Sequence, residues 1–181
     1  RTPVGLLHEA GALSERFSAV HATHLSDDDV SALARAGATA CFCPTTERDL
    51  ADGIGPAVAL HDAGARLSLG SDQHAVIDMF EEARGLEMHE RLTSNERGRL
   101  SPRDLLAAAT RHASIGWPDA GEIVIGARAD LVVVEAESLR NRGEQDLVRR
   151  TACGAQRFGV DDDEVGARSD DDLTGVRPAD A

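Results

Sequence analysis

Three short runs of strand-type residues, each followed by a helical stretch, constrain the fold of this chain more than any other feature. Phe17-Ser18-Ala19-Val20-His21 reads as a strand ending at an imidazole. Ser26-Asp27-Asp28-Asp29 then opens a helix as a capping box with acid in its first turn. Val30, Leu33 and Ala34 give that helix an i, i+3, i+4 apolar stripe, and Gly37 ends it. Residues 38–43 make a second strand, stopped by Pro44. A loop is expected over residues 45–55, then a short helix opened by Pro56 and closed by Gly64. Residues 66–70 form the third strand, and a longer helix carries Met79, Ala83, Leu86 and Glu90 at helical spacing. Short links between such units point to parallel strands joined by crossover helices, an α/β architecture.

Beyond Leu100 the pattern changes. Ser101-Pro102-Arg103-Asp104 is a second capping box with Pro at the first helical position, leading a helix through Leu105, Leu106 and Ala109. Gly116, Pro118 and Gly121 break it, and residues 122–125 and 130–134 read as two strands of a small β module. The expected organisation is a βα part over residues 1–117, a β portion over 118–136 and an irregular acidic tail over 137–181. Residues 161–181 hold eight acidic and two basic residues and few apolar ones, so disorder is expected there.

Composition removes several classes of function. A net charge of −13 argues against nucleic acid, which rewards a basic surface. No apolar run approaches the ~18 residues of a membrane span. The basic residues are all Arg, which excludes Schiff-base and P-loop lysines. There is no Gly-x-Ser-x-Gly elbow and no glycine-rich phosphate loop. Cys41, Cys43 and Cys153 make no disulfide framework. Cys41 and Cys43 share one face of a strand at a spacing too short for a usual zinc pair, so they read as buried free thiols in a reducing compartment, the cytoplasm.

Each of the three strands ends in polar residues, where parallel α/β enzymes keep their chemistry. The first delivers His21 and His24, the second Thr45, Thr46 and Glu47, the third Asp72 and His74. A carboxylate at a strand end can bind a divalent cation and take a proton from water, and a nearby imidazole can shuttle protons. Each also has an ordinary reading. Asp72 could cap the following helix, Thr45 and Thr46 could close loops through backbone hydrogen bonds, and Glu47-Arg48-Asp49 could be a solvated charge cluster.

Taken together, four segments resemble the amidohydrolase superfamily of metal-dependent hydrolases and deaminases. They are Val20-His21-Ala22-Thr23-His24-Leu25, Cys43-Pro44-Thr45-Thr46-Glu47, Gly70-Ser71-Asp72, and the closing pattern from Ala109-Thr110 to Gly126-Ala127-Arg128-Ala129-Asp130-Leu131. The Thr46-Glu47 pair tilts the resemblance toward the formimidoylglutamate deiminase branch. The resemblance implies the C-terminal part of a (β/α)8 TIM-like barrel, strands 6–8, with part of a β-sandwich flap. Three βα units cannot close eight strands, so the chain is expected to be a fragment, inactive alone. The resemblance further implies one zinc per complete site, with Asp72 as ligand and proton acceptor and His21 as the catalytic histidine. His74, Thr45 and Thr46 would contact a small-molecule substrate, in a full-length homodimer. The implied reaction is hydrolysis of N-formimidoyl-L-glutamate to N-formyl-L-glutamate and ammonia. The alternatives are an aminohydrolase of purine, pterin or triazine substrates, or a non-catalytic remnant.

Overall fold

The computed structural model describes residues 1–73, 77–111 and 115–133. The expectations for His74 and for the acidic tail lie outside these residues. In chain order the elements are α1 (Pro3–Glu9), β1 (Ser18–Val20), α2 (Asp27–Arg35), β2 (Thr39–Phe42), α3 (Pro44–Asp49), α4 (Ala57–Asp62), β3 (Arg66–Leu69), α5 (Met79–Ser94) and α6 (Pro102–Thr110). The strands form one parallel sheet in the order β1-β2-β3, with Val20 beside Cys41 and Cys41 beside Ser68.

Side chains alternate across a strand, and the alternation here separates two environments. Ala40, Phe42 and Leu67 point into the apolar core, where they join Leu33, Leu60, Leu86 and Leu100. The intervening row carries the small groups of Cys41 and Ser68 beside an exposed Val20. Both expected capping boxes form: Asp29 accepts the Ser26 amide at 3.0 Å, and Asp104 accepts the Ser101 amide at 3.2 Å.

Helix α5 fixes the loops and helix starts around it through three buried glutamates. Glu82 accepts hydrogen bonds from the Thr45 amide (3.0 Å) and the Thr45 hydroxyl at the start of α3. Glu90, two turns on, accepts the Val58 amide at 3.0 Å at the start of α4. Neither α3 nor α4 has a side-chain cap from its own N-cap residue. The carboxylates of α5 thus satisfy orphan amides and sit at the positive ends of two helix dipoles. Glu87 holds the turn toward α6, accepting from Gly98 (2.8 Å) and Leu100 (3.2 Å) while paired with Arg91 at 2.9 Å. Gly85 lets α5 approach this closely, since a Cβ there would lie 2.9 Å from Pro44 Cβ.

Two expectations are corrected. The stretch after β2 is not simply a loop, because Pro44–Asp49 within it form α3. Pro44 at its first position presets the backbone, and the missing cap arrives from Glu82. Residues 122–125 and 130–133 form no strands. A strand needs a partner ladder, and Ile125, Val132 and Val133 stand exposed without one among the described residues. No helix among the described residues is long and apolar enough to cross a membrane.

Several carboxylates link this architecture to pH. Burial alone would raise the Asp29 and Glu87 carboxyls, but it is outweighed by Thr2 and Ser26 around Asp29, and by Arg91 and two amides around Glu87. Ser101 lowers Asp104 in the same way. Groups depressed in the folded state add stability above their unfolded values and lose it as pH falls through the folded ones. These three carboxylates should therefore make the urea midpoint fall below about pH 4. Equal midpoints at pH 3 and pH 6 would contradict this.

Candidate active site

The three strands open at one rim. β1 ends at Val20, and the next amide, His21, still donates to the Cys41 carbonyl at 2.7 Å. That bond anchors the backbone exactly where it turns, so the imidazole is directed over the end of β2. β3 ends at Leu69, with the Gly70 amide donating to the Phe42 carbonyl at 3.0 Å. Thr46 Oγ1 donates to the Ser71 carbonyl at 3.3 Å, tying α3 to the loop that carries Asp72.

His21 sits between two carboxylates. Its Nδ1 lies 3.3 Å from Glu47 Oε1, and its Nε2 lies 3.7 Å from Asp72 Oδ2. The same Glu47 oxygen accepts the Cys43 amide at 2.8 Å. The Glu47 side chain is 1% exposed, whereas those of His21 and Asp72 are 33% and 42% exposed. The arrangement runs from a buried anchor to a solvent-facing pair. His21 and Asp72 meet across β2, from the two flanking strands rather than from neighbours.

The backbone is strained at this rim. His21 (φ 64°), Ala22 (φ 48°) and Asp72 (φ 46°) all occupy the left-handed region, which costs roughly 1–3 kcal/mol per non-glycine residue and clusters at functional sites. Burial pushes the Glu47 carboxyl above its ordinary value, against the pull of the Cys43 amide and His21. Beneath, the paired Cys41 and Cys43 are free thiols, as the strand spacing suggests. A hydrogen bond from Cys43 pulls the Cys41 thiol down to about 6, and the same neighbour with burial pushes the Cys43 thiol up.

Other expected site residues fall out differently. Asp72 does not cap the helix that follows. Asp78 does, accepting from Phe80 at 2.9 Å and Glu81 at 3.3 Å. Thr45 and Thr46 are buried, with their hydroxyls engaged by Glu82 and the Ser71 carbonyl. His24 is exposed, its ring 3.6 Å from where a Cβ on Gly53 would sit. The solvated-cluster reading of Glu47 is wrong: it is the buried centre of the rim. The Pro44-x-x-Glu47 spacing, an acid in the first turn of a helix that Pro44 opens, was the available signal.

No group of three or more His, Cys, Asp or Glu among the described residues is placed to hold a metal ion. Zinc takes about four ligands, so these residues do not close a zinc site by themselves. Asp72, beside an imidazole, has the chemistry of a contributor to one.

A parallel α/β rim presenting a histidine and an aspartate 3.7 Å apart can hold and move a proton. The chain belongs to the amidohydrolase family, which it matches over residues 1–162. It is 39% identical over 144 residues to the formimidoylglutamate deiminase of Pseudomonas aeruginosa, covering 75% of this chain and 32% of that protein. It is 35% identical over 160 residues to the 8-oxoguanine deaminase of the same organism, covering 85% and 35%. The crystal structure of an adenosine deaminase from Xanthomonas campestris, with bound zinc, superposes with a TM-score of 0.68 at 29% identity, covering 80% and 36%. The chain thus spans about a third of the length of each of these proteins.

Proposed function

We propose that this chain supplies strands 6–8 of the barrel of a zinc-dependent amidohydrolase that hydrolyses N-formimidoyl-L-glutamate to N-formyl-L-glutamate and ammonia. The observation that carries the reading is the approach of His21 Nε2 to Asp72 Oδ2, 3.7 Å apart at one rim. The identity to a formimidoylglutamate deiminase supports the substrate. In the whole enzyme residues 118–136 would enter the flap, and the protein would act as a cytoplasmic homodimer.

In this reading Asp72 is the one zinc ligand of the chain, and the others come from outside it. Zinc, when bound, would supply the Lewis acidity that makes water nucleophilic near neutral pH. Asp72 Oδ2 takes the proton of the attacking water and returns it to the departing nitrogen. Water oxygen bonds to the amidine carbon, the carbon–nitrogen bond breaks, and ammonia leaves. His21 Nε2, aimed at the same point, accepts a hydrogen bond from the attacking water and orients it. Thr45 and Thr46 shape the floor of the site, and His74 contacts the substrate.

The test is ammonia release by the full-length protein from N-formimidoyl-L-glutamate, 8-oxoguanine and guanine in parallel. Formimidoylglutamate is expected to be the preferred substrate, and the 181-residue chain alone is expected to be inactive. Turnover of 8-oxoguanine without turnover of formimidoylglutamate would favour the purine reading, which the second relative supports.

A further inference from the structure

We propose that Glu47 is a positioning residue for His21, holding the imidazole from a buried carboxylate that also anchors the backbone at Cys43. The inference rests on His21 acting in the reaction above.

Glu47 occupies the fourth position of α3, and its Oε1 accepts the Cys43 amide at 2.8 Å, four residues back. The same oxygen lies 3.3 Å from His21 Nδ1. One buried carboxylate oxygen thus holds both the backbone at the start of α3 and the imidazole.

The consequence is geometric. With Nδ1–H donated to Glu47, the lone pair of the neutral ring sits on Nε2. Nε2 then faces the Asp72 carboxylate across 3.7 Å, too far for a direct hydrogen bond and suited to a donor between them. The ring has little other support: His21 lies in the left-handed region and a third of its side chain is open to solvent. Glu47, at 1% exposure, is the fixed part of the pair. A buried carboxylate is costly unless its oxygens are satisfied, and among the described residues its hydrogen-bonding partners are His21 and the Cys43 amide.

Two substitutions test the positioning role. Glu47→Asp withdraws the carboxylate from the imidazole. Glu47→Gln keeps an acceptor of full length. The first readout is the ¹⁵N spectrum of the His21 ring in the 181-residue chain, recorded without substrate or metal. The wild type and Glu47→Gln are expected to show the Nδ1–H tautomer, and Glu47→Asp a mixture of both. In the full-length enzyme, Glu47→Asp should lower kcat per folded molecule about 10–100-fold with KM changed less than about twofold. Ring nitrogens in Glu47→Asp that match the wild type would overturn the proposal, as would a kcat loss that only follows a falling folded fraction. Failure of the substrate assay with these ring signatures intact would instead count against the reaction, since the spectrum involves no substrate.

Discussion

Asp72→Asn is expected to cut turnover by the full-length enzyme about 10²–10⁴-fold, the range a lost general acid–base group commands. The substitution is close to isosteric and removes the charge and the proton-accepting oxygen. Little structural cost should accompany it. Asp72 is 42% exposed and caps no helix, a task Asp78 performs for α5. Its φ of 46° is tolerated by Asn as readily as by Asp. Ammonia release should therefore collapse while the thermal midpoint stays where it was. An enzyme that keeps wild-type kcat after Asp72→Asn would remove the carboxylate from the chemistry.

Glu82→Ala is expected to be the most damaging single change to stability away from the apolar core. Glu82 is fully buried, and its two oxygens accept from the amide and hydroxyl of Thr45. Removing the carboxylate orphans two buried donors at about 1–3 kcal/mol each, so the loss should be roughly 2–5 kcal/mol by urea denaturation. By contrast Glu96→Ala breaks an exposed pair with Arg99 and should change stability by less than about 1 kcal/mol. Equal losses for the two variants would mean that α5 does not hold the start of α3. The link to function is direct, because α3 carries Glu47 and Thr46 to the rim.

Some of this was legible from residue order. The capping boxes of α2 and α6 are local devices in which an N-cap serine and an aspartate three residues later satisfy each other, and both formed where the spacing placed them. The three strand runs were equally readable, because apolar alternation needs no distant partner to be recognised. Helix α3 was not, because its cap comes from Glu82, 37 residues further along. Glu47 was misjudged for a related reason. In sequence it stands in a charged run, and burial is not a property of neighbours in the chain.

Residue order thus settled which segments are strands and helices, that successive strands run parallel, and which polar groups end them. Tertiary structure alone decided that His21 and Asp72 meet across β2, and that Asp78 rather than Asp72 caps α5. It also made Glu47 the buried partner of the histidine. The division has a physical cause. Strand and helix signals come from interactions within a few residues, whereas this site is built from the ends of three strands whose separation is set by the packing of the helices between them.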